Sequence, residues 1–177
     1  VIDTDFIGNT ADYHGGAMRV NGSDAVANVE GSLFQKNTAG GKGGAAIISG
    51  GGKASFDGVT FSGNEAKQAK SANGTVGSAG GALMILGDAG EVSITDSAFT
   101  GNKASTGRGG AIAIDGSKTE SQTNHTITNS TFTGNTAVEG GAVGLWGGKA
   151  TFTDTDFIDN TAGGWGGAIF VGNGGEV

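Results

Sequence analysis

The chain has 177 residues, enough to bury a sizeable core as one domain, with 38 glycines but no proline or cysteine. Without cysteine the fold needs no disulfide, and the redox compartment stays open. The net charge of −7, with Arg19 and Arg108 as the only arginines, argues against nucleic acid and anionic membranes, because both require cationic side chains opposite phosphate. No apolar run reaches the roughly 18 residues of a transmembrane helix.

Two motifs alternate along the whole chain. Phe-x-x-Asn occurs six times, and each copy is followed by Gly-Gly-Ala before the next begins. The motif phenylalanines are 25 to 38 residues apart, the spacing of one solenoid turn. We therefore interpret the glycines as turn residues in fixed places rather than as low complexity. The motif residues are Phe6 and Asn9, Phe34 and Asn37, Phe61 and Asn64, Phe99 and Asn102, Phe132 and Asn135, and Phe157 and Asn160.

Each repeat contains three short stretches with a strand-like pattern. The first has an apolar residue five positions before the motif phenylalanine, such as Phe56 or Phe152, with polar neighbours on both sides. This is the period of two expected of a half-buried strand. A bend residue (Asp, Asn or Gly) follows, and then a second strand that carries Phe and Asn. The third begins at Gly-Gly-Ala, with apolar residues one and three positions after the alanine, as at Ile112 and Ile114.

These elements predict an all-β fold, a right-handed parallel β-helix of about six turns with three short strands per turn, because nearly all parallel crossovers are right-handed. Stacked turns would align the phenylalanines in an internal ladder and allow each asparagine amide to bond to the next turn. Gly-Gly would permit backbone conformations closed to other residues. Since Val1 falls within a repeat, we expect residues 1–177 to be a single segment of a longer protein.

The pairing of Phe-x-x-Asn with Gly-Gly-Ala-(Ile/Leu/Val) resembles the repeat of the polymorphic membrane protein family of autotransporters. The matching copies include Gly80 to Leu83, Gly109 to Ile112, Gly140 to Val143 and Gly166 to Ile169, whereas two repeats depart mildly, with Met18 and Ala46 after the alanine. The resemblance implies a secreted β-helical passenger on the bacterial cell surface, anchored to the outer membrane through another part of the protein. It also implies adhesion to host cells or self-association, with a host surface protein, a glycan or another copy as the partner.

Parallel β-helices also include polysaccharide lyases and hydrolases, so an enzyme is the rival interpretation. A glycosidase needs two carboxylates roughly 5 to 10 Å apart. The pairs Asp3/Asp5 and Asp154/Asp156 fall at bends, where aspartate is expected as a turn residue. We therefore predict no enzymatic activity, and a purely structural stalk remains a third alternative.

We predict no cofactor and no metal. The Asp-x-Asp bends offer oxygen ligands to calcium, but the nonapeptide repeat of calcium-binding β-rolls is missing. Zinc would have to use His14 and His125 without any cysteine. His125 occupies a place where other repeats have alanine or valine, which suggests a partly buried side chain rather than a ligand.

The residue directly before Gly-Gly-Ala changes type from turn to turn, and stacked turns would align these residues along one edge. Variable polar and aromatic side chains on a constant scaffold are typical of a recognition surface. In the third turn this residue is Ala79, which offers no recognition chemistry. With the neighbouring tyrosine added, the candidate recognition strip consists of Tyr13, His14, Lys42, Arg108, Glu139 and Trp165.

Three further features are candidates for an interaction surface. The residue two positions after the Gly-Gly-Ala alanine forms a second outward column, either a sticky face for self-association or a surface covered by a loop. There are two longer insertions, from Glu65 to Ala79 and from Asp115 to Asn124. Insertions in solenoids tend to lie on one face, which is often the binding face. Trp146 is a candidate exposed aromatic residue. The second outward column is Arg19, Ile47, Met84, Ala113, Gly144 and Phe170.

Overall fold

The computed structural model describes residues 1–67, 77–116 and 123–177. In these ranges every strand pairs in parallel with the equivalent strand of the neighbouring turn, apart from one isolated antiparallel bridge between Asp115 and Gly147. The predicted all-β parallel β-helix with three main strands per turn is confirmed, and a two-residue strand after each motif asparagine is an addition. No helix among the described residues is long and apolar enough to cross a membrane.

The strands follow one another turn by turn. The first turn contains β1 (Asp5–Ile7), β2 (Thr10–Ala11) and β3 (Met18–Asn21). The second contains β4 (Val26–Glu30), β5 (Leu33–Gln35), β6 (Thr38–Ala39) and β7 (Ala46–Ser49). The third contains β8 (Lys53–Asp57), β9 (Thr60–Ser62), β10 (Glu65–Ala66), β11 (Gly77–Ser78) and β12 (Leu83–Leu86). The fourth contains β13 (Val92–Thr95), β14 (Ala98–Thr100), β15 (Lys103–Ala104), β16 (Gly107–Arg108) and β17 (Ile112–Asp115).

The last two turns repeat this order. The fifth contains β18 (Asn124–Thr128), β19 (Thr131–Thr133), β20 (Thr136–Ala137) and β21 (Val143–Trp146). The sixth contains β22 (Lys149–Thr153), β23 (Asp156–Ile158), β24 (Thr161–Ala162) and β25 (Ile169–Gly172). Strands at equivalent places form three sheets of six strands and one of five, which are the walls of the helix. A separate pair, β11 with β16, lies outside these walls.

The motif phenylalanines form one continuous stack inside the helix. Phe34 lies in register with Phe6 on one side and Phe61 on the other, and the later turns continue the pattern. Successive ring centroids are 4.5 to 5.0 Å apart, with planes within 16° of parallel. Phe56 and Phe152 pack edge-on against this stack. The spacing equals the strand separation of a sheet, so each ring packs on the next without a gap.

The motif asparagines form a second ladder at a corner of each turn. Asn37 Nδ2 donates to Asn64 Oδ1 at 3.0 Å and to the carbonyl oxygen of Phe6 at 2.8 Å. Its backbone N–H donates to the same Asn64 oxygen at 2.9 Å. The next three turns repeat this pattern. Buried amide groups need hydrogen-bond partners, and here the neighbouring turns provide them.

A third ladder, which was not predicted, consists of hydroxyl groups two residues before the motif phenylalanines of every turn except the third. Ser97 Oγ donates to the carbonyl oxygen of Thr95 at 2.8 Å and accepts the backbone N–H of Val59 at 3.1 Å. Ser32 and Ser130 act in the same way. The signal was present as a recurring serine or threonine at that position, broken only by Val59.

The two glycines of Gly-Gly-Ala have different roles. Gly80 has φ +60°, a left-handed conformation that glycine adopts without steric cost. Gly81 instead lies against the next turn, where a Cβ would come 1.9 Å from the carbonyl oxygen of Gly110. The motif therefore combines a backbone reversal with a close approach of two turns.

Candidate functional site

The candidate recognition strip lies beside the sheet formed by β3, β7, β12, β17, β21 and β25. At its start, Tyr13 is 79% exposed, His14 is exposed and Lys42 is half-buried. The backbone N–H of Lys42 donates to His14 Nδ1 at 3.0 Å, which links the first two turns. Partial burial and the nearby charges of Lys42 and Arg19 lower the pKa of His14. At the other end of the strip, Trp165 is 70% exposed.

The middle of the strip departs from the expected exposed edge. Arg108 is only 6% and Glu139 only 4% exposed, and Ala79 is fully buried. Arg108 Nε donates to Glu139 Oε2 at 2.5 Å, so the two charges are paired within the protein. Arg108 and Glu139 are therefore unavailable to a partner. The strip is therefore reduced to two separate ends: exposed Tyr13 and His14 with half-buried Lys42, and exposed Trp165.

The second outward column is covered by a second layer. Ile47, Met84 and Ala113 form a small buried cluster, against which Leu86 packs. The paired strands β11 and β16 lie against β17 and β21 on this outer face. Residues inserted before Gly-Gly-Ala in the third and fourth turns form these strands. The interpretation as a sticky face is therefore wrong for the central turns, and the alternative of coverage by a loop is right.

Arg108 fixes the second layer to two aromatic rings. Its guanidinium carbon lies 4.0 Å from the ring centroid of Trp146 and 5.7 Å from that of Phe170. These two rings are stacked, with centroids 6.3 Å apart. Gly144 is required beneath this group, since a Cβ there would come 2.7 Å from the Cβ of Arg108. Trp146 is thus half-buried and held in place, rather than the exposed aromatic residue that the sequence suggested.

A groove opens beside Trp146, where β12, β17 and β21 end. Its volume is about 440 Å³. The Lys42 ammonium lies 3.5 Å from Asp115 Oδ2 at this place, so one charge of the strip reaches the groove. No sequence pattern pointed to this groove, because four successive turns contribute to it. The described residues that line it are Leu86, Gly87, Asp88, Asp115, Gly116, Trp146 and Asn173.

The positions considered for catalysis and metal binding have structural explanations. Asp3 and Asp154 have positive φ and form the predicted bends. Within the described ranges, no three His, Asp or Glu side chains are grouped to hold a metal ion. His125 points into the core and is 3% exposed, and burial lowers its pKa to about 4. Among the described residues its Nδ1 has no hydrogen-bond partner.

Most of both insertions, residues 68–76 and 117–122, lies outside the described residues. Their proposed part in recognition stays a prediction.

The fold and the covered outer face define a parallel β-helical repeat protein. The family model of the Chlamydia polymorphic membrane protein repeat matches residues 96–115 and 154–172. Each match runs from a bend, Asp96 or Asp154, through the motif phenylalanine into the strand after Gly-Gly-Ala. The resemblance is confirmed in these segments, and it is consistent with a repeat passenger of this surface-protein type. No curated protein and no solved structure matches the chain.

Proposed function

We propose that this chain is part of a bacterial surface passenger that mediates attachment, to a host cell-surface protein or glycan or to another copy of itself. The observation that carries the proposal is the contrast between interior and exterior. The interior is uniform from turn to turn, with phenylalanines stacked on phenylalanines and asparagines bonded to asparagines. The differences between turns are concentrated on one outer face, beside the sheet that contains β3 and β25.

The exposed ends of the strip have the chemistry of an attachment surface. Tyr13 and Trp165 combine a large apolar ring with a polar group, the combination enriched at interaction hot spots. His14 and Lys42 are linked by a hydrogen bond and add polar contacts beside Tyr13. Because the hydrogen-bonded turns already hold the backbone, attachment would lose little conformational entropy.

Attachment on a cell surface gains from repetition. Many copies of a passenger on one cell act together, and a weak contact at each copy can give strong overall binding. Because the net charge is −7, anionic surfaces repel the chain, which reduces non-specific binding and favours specific contacts.

The direct test is binding of the labelled chain to epithelial cells, to immobilised glycans and to itself. It is compared with a strip variant, Tyr13→Ala/His14→Ala/Lys42→Ala/Trp165→Ala. Arg108 and Glu139 remain unchanged because they are buried. The matched control, Ile7→Ala/Glu30→Ala/Lys67→Ala/Ile158→Ala, changes four exposed residues outside the strip.

Binding by the parent and the control that falls at least tenfold in the strip variant, with unchanged circular dichroism, is the expected result. No binding by any of the three would overturn the proposal in favour of a stalk. Release of soluble sugars from a polysaccharide panel would favour the enzyme instead.

A further inference from the structure

The groove beside Trp146 is built from the ends of neighbouring strands. Leu86 at the end of β12 lies in register with Asp115 at the end of β17. The backbone N–H of Gly116 donates to the carbonyl oxygen of Trp146 at 3.0 Å, which holds the fifth turn against the fourth. The backbone frame of the groove is therefore fixed before any ligand arrives.

The indole wall of the groove is also held in position. The Arg108 guanidinium lies over the ring, and Gly172 leaves the room that the indole occupies, since a Cβ there would come 2.9 Å from Trp146 Cε3 and Cζ3. Trp146 and Leu86 are both half-buried, so part of each apolar surface faces the groove. An apolar wall fixed in this way favours binding, because it loses little freedom on contact.

Among the described residues, the polar groups of the groove mainly accept hydrogen bonds. Asp88 is exposed and Asp115 is half-buried, and an ionised carboxylate offers only acceptor oxygens. Asn173, with φ +56° in the turn after β25, adds an amide that both donates and accepts. Lys42 lies against one oxygen of Asp115 and partly balances the charge at the rim.

This lining selects among classes of ligand. Phosphate, sulfate and uronic acids are disfavoured because their charge would oppose two carboxylates. A metal ion alone is disfavoured, because in the part of the chain that the structure describes no three ligating side chains come together. A neutral sugar fits this lining, because its hydroxyl groups donate to carboxylates while its C–H face packs on apolar side chains. Lys42 already balances part of the negative charge that would attract an organic cation. The volume of about 440 Å³ lies within the usual range for small-molecule sites.

We propose that this groove binds a neutral oligosaccharide. Asp88 and Asp115 accept hydrogen bonds from its hydroxyl groups, Asn173 bonds to a neighbouring hydroxyl, and Trp146 and Leu86 contact the sugar ring. Tyr13 and Trp165 do not line the groove, whereas Lys42 of the strip lies at its rim. Lys42 stays unchanged in the test below, so this proposal is tested separately from attachment through the strip.

The test uses Trp146 as its own reporter. The chain has two tryptophans, so Trp165→Phe leaves Trp146 as the sole indole. This variant is titrated with neutral hexasaccharides of glucose, mannose and N-acetylglucosamine, with a heparin hexasaccharide and with hexalysine. Trp146 fluorescence and calorimetry measure binding. A saturable signal with at least one neutral hexasaccharide, and none with heparin, is expected.

Two further substitutions in the Trp165→Phe background locate the binding. Asp88→Ala should weaken it at least tenfold, and Asp156→Ala, which removes an exposed carboxylate from β23 in another wall, should leave it unchanged. Adding Tyr13→Ala should leave it unchanged as well, although it removes part of the strip. The proposal is overturned by binding of hexalysine alone, by no response to any neutral sugar, or by equal binding in the Asp88→Ala variant.

Discussion

Asn64 and Asn102 are joined across neighbouring turns by two hydrogen bonds to one oxygen. The backbone N–H of Asn64 donates to Asn102 Oδ1 at 3.0 Å, and Asn64 Nδ2 donates to the same atom at 2.9 Å. Asn102 in turn donates to Asn135 Oδ1 and to the carbonyl oxygen of Phe61. Each of the four buried amides, from Asn37 to Asn135, thus has partners in both neighbouring turns, which makes the ladder a buried network that fixes the register of the turns.

The Asn102→Asp variant should lose about 3 kcal/mol or more in its free energy of unfolding. The change keeps the size of the side chain but replaces the donor amide with a carboxylate. That carboxylate cannot donate to the oxygens of Phe61 and Asn135 and repels them instead. Urea denaturation at pH 7 measures the loss. Asn9→Asp, the same change at an exposed position of the first turn, should cost less than about 1 kcal/mol. Similar losses in both variants would show that the buried ladder is not stabilising.

The sequence predicted the interior well because each interior position has one physical solution. A phenylalanine or an asparagine that returns once per turn at the same place on a β-helix must contact its own copies. The bends were equally accessible, since Asp96 and Asn129 are residue types that tolerate positive φ, and both adopt it.

The outer face could not be predicted in the same way. The burial of Arg108 and Glu139 depends on β11 and β16, and the Gly-Ser and Gly-Arg pairs of these strands carry no alternating apolar pattern. The groove beside Trp146 combines residues at strand ends in four successive turns, and no single motif predicts that combination. The hydroxyl ladder differs, because its signal was visible in the sequence and was missed.

Gly81→Ala should prevent stable folding or cost more than about 4 kcal/mol in the free energy of unfolding. A Cβ at this position would lie 1.9 Å from the Gly110 carbonyl oxygen and 2.6 Å from backbone atoms of Lys103, and backbone cannot move aside as a flexible side chain can. Gly163→Ala is the control, because no atom lies within 4 Å of its Cβ position and the residue is exposed. It should be neutral or stabilising by up to about 1 kcal/mol. Thermal unfolding separates the two, and a Gly81→Ala chain as stable as the parent would contradict the close approach.

Glu139→Gln should destabilise the protein by about 3 kcal/mol, because it leaves the buried Arg108 cation without its counter-charge. The fluorescence of Trp146 should change at the same time, since Arg108 lies over that ring. Lys103→Gln disrupts the more exposed pair with Glu65, whose charged atoms are 3.7 Å apart, and should cost less than about 1 kcal/mol.

The double variant Arg108→Met/Glu139→Met completes this test. It should recover most of the stability that Glu139→Gln loses, because it leaves no buried charge unpaired. A double variant even less stable than Glu139→Gln would mean that the ion pair itself, and not only the compensation of a buried charge, stabilises the second layer.

His125 should make the fold sensitive to acid in a defined window of pH. Burial lowers the pKa of His125 to about 4, below its ordinary value of 6.5. Between pH 6.5 and pH 4 the unfolded chain therefore takes up a proton that the folded chain does not. The contribution of neutral His125 to the free energy of unfolding is complete above pH 6.5 and is lost as the pH falls towards 4. This difference between the folded and unfolded pKa values corresponds to a loss of about 3 kcal/mol in the free energy of unfolding.

The test compares urea denaturation of the parent and of His125→Ala between pH 7.5 and pH 4.5. Alanine is the residue that lies in register at position 150, so the site accepts it, although the smaller side chain leaves space at neutral pH. Relative to the parent, His125→Ala should gain about 2 to 3 kcal/mol in its free energy of unfolding between pH 7.5 and pH 4.5. His14→Ala should change this pH dependence less, because His14 is exposed whereas His125 is buried, although partial burial and the charges of Lys42 and Arg19 also lower the pKa of His14. Parallel curves for the parent and His125→Ala would mean that the buried imidazole accepts its proton without opening the core.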